Sequence, residues 1–209
     1  MELLFVLLTG FTLGISGAMI PGPLTLYAIS EVLKTSKSAG VKIIIGHIIV
    51  EGILAVVILQ GFQRFITNSV FLLWVSGIGA VALMIMGCLL LLYARAMTIP
   101  SSQAQHSFSH GLIFGGIFFS AISPGFLIWW ATIGLSSIMK SLLLGFSGLV
   151  VIMFGHWLAD ILWYGFLSYA VERGKMYLSD RSYQNIIRFF ACMLILLGVF
   201  FSISNRAIR

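Results

Sequence analysis

The chain has 209 residues, of which 60% are hydrophobic and only 9% are charged. Soluble domains carry about 25% charged residues, so the composition excludes an ordinary soluble domain and predicts one integral membrane domain over residues 1–209. The net charge of +6 lies in short loops without a basic-aromatic patch, which argues against nucleic-acid binding.

The first half of the chain predicts three membrane helices, because a bilayer crossing needs about 20 apolar residues. The first runs from Leu3 to Ile29 and contains Pro21-Gly22-Pro23. No basic segment precedes it and no cleavage site follows, so we expect it to be retained rather than removed as a signal peptide. The second helix spans Gly40 to Gly61 and carries Glu51, and the third spans Val70 to Tyr93.

The second half predicts three more helices after a polar linker from Arg95 to His110. The fourth helix spans Gly111 to Leu135 and is broken at Pro124. The fifth spans Leu142 to Val171 and carries Asp160, and the sixth spans Ile186 to Ser204. The expected fold is therefore an all-α integral membrane protein with six transmembrane helices. Cys88 and Cys192 lie in apolar segments, where we expect small buried residues rather than a redox pair.

The two halves carry the same features in the same order. Ile20-Pro21-Gly22 precedes Gly46-His47-x-x-x-Glu51, and Ser123-Pro124-Gly125 precedes Gly155-His156-x-x-x-Asp160. Three helices in each half, about 1–94 and 110–209, make the second half enter the membrane from the opposite side. This pattern predicts two inverted repeats, an architecture typical of secondary transporters.

The prolines predict breaks in the first and fourth helices. Proline cannot donate to the carbonyl four residues earlier, so the carbonyls of Gly17, Met19 and Ser120 lose their helical partners. Such carbonyls need other partners in hydrocarbon, or they line a polar cavity. A lone proline is often a simple kink, but two matching breaks predict a substrate site. Its expected residues are Pro21, Gly22, Pro23, Ser123, Pro124 and Gly125.

Two acidic residues, Glu51 and Asp160, lie inside the predicted membrane helices, where an ionised carboxylate costs about 2.5 kcal/mol or more. His47 and His156 each precede one of them by four residues, so each pair shares a helix face. Such pairs can load and release a proton near physiological pH. We expect the four residues to couple protons or to contact the substrate. A purely structural polar pair and a divalent-metal site formed by the same four residues remain alternatives.

Four tryptophans in the second half either flank a cavity or anchor at the membrane interface. They are Trp129, Trp130, Trp157 and Trp163.

Basic residues are unevenly divided between the two sides of the predicted bundle. The side with the loops after helices one, three and five holds Lys34, Lys37, Lys42, Arg95, Arg173, Lys175, Arg181 and Arg188. The other side holds Arg64, Lys140, Arg206 and Arg209. Because cytoplasmic loops are enriched in lysine and arginine, we expect the first side to be cytoplasmic and both termini to lie outside.

The run Gly-Ala-Met-Ile-Pro-Gly-Pro from Gly17 to Pro23, with Gly40 and the Gly46-His47-x-x-x-Glu51 string, resembles the lysine-exporter (LysE-type) family of amino-acid exporters. The resemblance covers nearly the whole chain. It implies an exporter of an amino acid or related small solute in the cytoplasmic membrane, driven by exchange with protons. Many members carry Asn-Pro-Lys where this chain has Ser123-Pro124-Gly125, so a basic amino acid is not implied.

The sequence offers no recognisable catalytic motif. The His-Glu-x-x-His signature of membrane metalloproteases is absent, and the cysteines lie far from the prolines in sequence. We expect a transporter rather than an enzyme, without a cofactor. Its expected partners are a small-molecule substrate and the lipid bilayer, and homo-oligomerisation remains open.

Overall fold

The computed structural model describes residues 1–62, 68–96, 98, 109–177 and 179–207. Arg64, Arg209 and most of the predicted linker lie outside these residues. The α-helices within them are α1 (Glu2–Ala18), α2 (Pro23–Lys34), α3 (Ser38–Val57), α4 (Ser69–Tyr93), α5 (Ser109–Ala121), α6 (Pro124–Trp129), α7 (Leu135–Ser141), α8 (Gly145–Gly174) and α9 (Asp180–Ala207). A π-helical segment extends α3 to Phe62, and another joins α6 to α7.

The helices are long and apolar enough to confirm an all-helical, multi-pass membrane protein. Among the described residues, four helical stretches could cross a bilayer: Ser38–Gly61, Gly77–Ala96, Pro124–Tyr177 and Asp180–Ile203. The bent pair α1–α2 makes a fifth. The stretch Pro124–Tyr177 has 54 residues, or about 80 Å if it were straight. It is instead divided at Gly145, whose φ of 74° ends the segment before α8.

Both predicted breaks occur at prolines. The first predicted helix is two helices, α1 and α2, bent by 77°, and α2 begins at Pro23. The second break lies between α5 and α6, and α6 begins at Pro124. Proline suits the first helical position because the N–H that it lacks would have no helical partner there. At the second break, Ser123 accepts a hydrogen bond from the N–H of Phe126 at 3.4 Å.

Two carbonyls expected to lose their helical partners find new ones in tight turns. The Gly17 carbonyl accepts from the N–H of Ile20 at 3.1 Å, and the Ser120 carbonyl accepts from the N–H of Ser123 at 3.1 Å. Each helix therefore closes its end with a bond of 3₁₀ type. New backbone bonds therefore replace the lost helical ones at these two carbonyls.

Helices from the two halves pack against each other in a reciprocal way. α1 lies along α8, and α5 lies along α3. At four glycines a Cβ would overlap with a backbone carbonyl of the facing helix, so these contacts require glycine. The pairs are Gly10 with Ile152, Gly116 with Ile43, Gly155 with Leu7, and Gly46 with Ile113. The glycine before each histidine thus touches the first helix of the other half.

The loops after predicted helices one, three and five meet at one end of the bundle. Lys175 donates a hydrogen bond to the carbonyl of Leu33, which connects the end of α8 to the end of α2. Gln184, near the start of α9, donates to the carbonyl of Arg95 at 3.2 Å. Three of the loops assigned to one side of the membrane therefore lie together.

The outer surface of the bundle is apolar. Trp74, Phe118 and Phe200 are among its exposed side chains. Cys88 and Cys192 are also exposed, so the expectation that they are buried is wrong. The physical reason is that the lipid-facing surface of a membrane protein is as apolar as its interior.

Candidate functional site

A cavity of about 100 Å³ lies where the two breaks meet α3 and α8. A water molecule needs about 10–15 Å³ by the same measure, so the cavity accommodates several waters or one small solute. Its walls are mainly apolar, but polar side chains converge on it. These are Thr25, His47, Glu51, Ser120, Ser123, His156, Asp160 and Tyr164.

Most of the break residues expected to bind substrate line this cavity. From the first break these are Pro21, Gly22 and Pro23, and from the second they are Ser123 and Gly125. Pro124 is not among the lining residues. Its ring instead packs against Gly79 of α4, where a Cβ would overlap with it. Pro124 therefore lies at the second break with its ring toward α4.

The two histidine–carboxylate pairs meet in one buried cluster centred on Glu51. The Glu51 Oε1 lies 3.1 Å from His47 Nε2 and 3.0 Å from His156 Nε2. The same oxygen accepts from the Trp130 indole N–H at 3.3 Å. His156 Nε2 also lies 3.5 Å from Asp160 Oδ2. The side chains predicted as two separate pairs thus form one group with both halves of the chain contributing.

The two carboxylates of this cluster keep unused acceptors. Glu51 and Asp160 are each only 1% exposed. Among the described residues, Glu51 Oε2 has no hydrogen-bond partner, and Asp160 Oδ2 has only the longer 3.5 Å contact with His156. Buried acceptors without donors are costly, and a carboxylate is an acceptor for protons, ammonium groups or metal ions. The cluster is therefore suited to binding a cation.

Two aromatic rings hold His156 in place. Its imidazole centroid lies 5.0 Å from the ring of Trp129 and 5.3 Å from that of Trp130. Both tryptophans line the cavity, whereas Trp157 and Trp163 do not. Trp129 and Trp130 therefore flank the cavity, which is one of the two roles expected for the four tryptophans.

Ser120 is a site residue that the sequence analysis missed, since only its carbonyl was singled out. Its hydroxyl lies 2.7 Å from His47 Nδ1 and donates to the Gly116 carbonyl at 2.6 Å. The contact joins α5 to α3, so it depends on how the two halves pack. No local sequence pattern indicates it.

Thr25 and Tyr164 were also missed. Their hydroxyl groups lie 3.3 Å apart and are buried beside the cavity. For Tyr164 a signal exists in the sequence: it follows Asp160 by four residues, as Asp160 follows His156. All three therefore lie along one face of α8.

Comparisons with known proteins identify the family. Neither the curated proteins nor the solved structures gave a match. The LysE type translocator family matches residues 15–205, a range that contains both breaks and all four residues of the cluster. The chain belongs to the LysE type translocator family, a family of membrane transporters, as the run around Pro21 had predicted.

Proposed function

We propose that this protein is a secondary exporter that moves an amino acid or a related small solute out across the cell membrane in exchange for protons. Family membership supports transport of such solutes. The observation that carries the proton exchange is the meeting of His47, Glu51, His156 and Asp160 in one buried cluster. Ionisable residues inside a membrane bundle commonly serve ion or proton pathways.

The proposed architecture is a pair of inverted three-helix repeats with six spans. In this arrangement α1–α2 and α5–α7 are the two broken spans. The reciprocal contacts of α1 with α8 and of α5 with α3 support it, because the helix before each break packs against a helix of the other half. The basic residues clustered at one end support a cytoplasmic location for that end, with both termini outside.

The proposed substrate position places the carboxylate of an amino acid at the start of α2. This helix begins beside the cavity, and its N-cap Gly22 offers no side chain to cap the first turn. A helix N-terminus favours a negative group through its N–H groups and its dipole. Pro21, Pro23, Ser123 and Gly125 complete the walls of this pocket.

The substrate ammonium group would then face the carboxylates of Glu51 and Asp160. Both have a buried oxygen without a hydrogen-bond partner among the described residues. An ammonium group brings three donors, and protons compete for the same oxygens. A site that holds either a proton or an ammonium group is the minimal requirement for exchange of one against the other.

Transport into liposomes with an imposed pH gradient tests this function. A panel of labelled amino acids is offered to the purified protein, and we expect at least one to accumulate in response to the gradient. Glu51→Gln and Asp160→Asn together should abolish the response to pH. If the double variant transported with unchanged rate and pH dependence, the proposed proton role would be wrong.

A divalent-metal transporter is the second candidate, and one observation favours it. One ligand atom each from His47, Glu51 and Asp160 lies within 4.8 Å of the other two. Imidazole and carboxylate ligands together suit zinc or manganese. Thermal stabilisation of the purified protein by Zn²⁺ or Mn²⁺, lost in His47→Ala, would favour this candidate. Stabilisation by an amino acid alone would favour the first.

A further inference from the structure

We propose that Ser120 fixes the tautomer of His47, so that the neutral imidazole always presents a bare Nε2 to Glu51. A second step rests on the proposed function: the fixed tautomer makes a proton and a substrate ammonium group mutually exclusive occupants of the site. Ser120 is thus a positioning residue that acts through His47.

The direction of each hydrogen bond follows from the serine hydroxyl. Ser120 Oγ lies 2.6 Å from the Gly116 carbonyl oxygen, which can only accept. The single hydroxyl hydrogen must therefore lie in that contact. His47 Nδ1 is 2.7 Å from the same Oγ. Since the hydroxyl has no second hydrogen, Nδ1 must carry a hydrogen and donate it to Ser120.

A neutral imidazole carries one N–H and one lone pair. With the hydrogen held on Nδ1, the lone pair of His47 is on Nε2, which lies 3.1 Å from Glu51 Oε1. Two acceptors then face each other in a buried site. A proton bound between them satisfies both acceptors, and a cationic donor that enters the cavity supplies hydrogens to the same two atoms. A proton on Nε2 makes His47 an imidazolium that donates to Glu51.

The other tautomer would remove this requirement. A neutral His47 with its hydrogen on Nε2 could donate to Glu51 with no additional proton and no substrate. The site would then be satisfied while empty, and an empty transporter could return without cargo. Fixing Nδ1–H therefore favours tight exchange, because either cation then supplies a donor that the neutral His47 does not supply to Glu51.

The surroundings of His47 leave few other groups to supply the proton. Glu51 lies on its own helix, and α8 contributes His156, Asp160 and the phenol of Tyr164 to the same cavity. Among the described residues, the lining from α2, α5 and α6 contains no further side chain that titrates near neutral pH. Among the described residues, Nδ1 has a hydrogen-bond contact with Ser120 alone, so Ser120 is the group that selects the tautomer.

Ser168 provides a matched control for Ser120. Both serines are 1% exposed, and both donate to the carbonyl four residues earlier at 2.6 Å. Ser168 does not line the cavity. Ser168→Ala therefore removes the same kind of bond without touching His47, and Ser120→Thr keeps a hydroxyl that can form the same back-bond.

Nitrogen NMR of the full-length protein labelled with ¹⁵N-histidine reads the tautomer directly, with His47 assigned by its loss in His47→Gln. On raising the pH, we expect His47 in the wild type and in Ser168→Ala to lose the Nε2 hydrogen and keep the Nδ1 hydrogen. In Ser120→Ala the Nε2–H form should appear, and Ser120→Thr should restore the wild-type form. An Nε2–H form in the wild type, or an unchanged tautomer in Ser120→Ala, would overturn the assignment, as would a His47 that never loses a proton.

Proton-driven transport in liposomes tests the second step. In Ser120→Ala we expect accumulation driven by the pH gradient to fall by about tenfold, since a hydrogen bond to a charged group contributes on that order. Substrate-for-substrate exchange without a gradient should change much less. Full coupling in Ser120→Ala despite an altered tautomer would refute the second step. If no solute responds to a gradient in the wild type, the proposed function fails, while the spectra still decide the role of Ser120.

Discussion

Gly46 lies where α3 crosses α5, and the structure indicates how much stability Gly46→Ala should lose. A Cβ at this position would overlap with the Ile113 carbonyl and lie 2.9 Å from the backbone nitrogen of Ile117. Both are backbone atoms of a helix, which cannot rotate away as a side chain can. Gly46→Ala must therefore push the two helices apart.

The expected loss of stability combines two opposing effects. Overpacking of this kind costs about 1–3 kcal/mol, and we expect the upper end because the obstacle is backbone. Alanine regains about 0.5–1 kcal/mol over glycine in a helix interior. The net loss for Gly46→Ala is therefore about 2 kcal/mol.

Gly52 on the same helix is the matched control. The nearest neighbour that a Cβ would have there is an atom of the Trp157 ring, at 3.9 Å, which is ordinary contact. Gly52→Ala should thus be neutral or stabilising by up to about 1 kcal/mol. The assay is the fraction folded during titration with denaturing detergent, measured for both variants. Equal stability of Gly46→Ala and Gly52→Ala would refute the close crossing.

Three further predictions concern the cavity. Trp130→Phe removes the indole donor to Glu51, so proton-driven transport should fall by about tenfold; an unchanged pH profile would contradict that role. Thr25→Val leaves the buried Tyr164 hydroxyl without its partner and should cost about 1–3 kcal/mol in detergent unfolding, whereas wild-type stability would speak against the contact. Pro124→Ala loses packing worth about 1.5 kcal/mol against α4 but should leave the KM for the solute unchanged; a raised KM would mean that the ring reaches the solute.

The features that the sequence predicts correctly have local causes. Proline removes a donor wherever it stands, so Pro23 and Pro124 mark the starts of α2 and α6 without knowledge of the fold. A carboxylate in an apolar run must face the interior, which is why Glu51 and Asp160 could be predicted to be buried. The i, i+4 spacing likewise placed each histidine beside its carboxylate.

The features that the sequence does not predict depend on contacts between distant segments. Ser120 reaches His47 only because α5 lies against α3, and Trp130 reaches Glu51 from beyond the second break. Hydropathy also fails to distinguish the lipid face from the core. Cys88 and Cys192 were therefore misplaced. A proline marks a break without indicating which neighbour its ring contacts, so the contact of Pro124 with Gly79 was not predicted.

The reciprocal packing also explains why His47 has a serine partner and His156 does not. Gly116 of α5 and Gly10 of α1 occupy equivalent positions in the two halves. Gly116 meets Ile43 and Gly10 meets Ile152, and each isoleucine lies four residues before a histidine of the cluster. Four residues after Gly116 stands Ser120, which holds His47.

Four residues after Gly10 stands Gly14, which lies against the backbone of His156 and has no side chain to offer it. His156 instead packs against the neighbouring indole rings of Trp129 and Trp130. Its Nε2 lies 3.0 Å from Glu51 and 3.5 Å from Asp160. We expect His47 to have one fixed tautomer and His156 to move its proton between two carboxylates. On this proposal, a cluster that is nearly symmetric in composition would have one histidine that sets the occupancy of the site and one that passes a proton on.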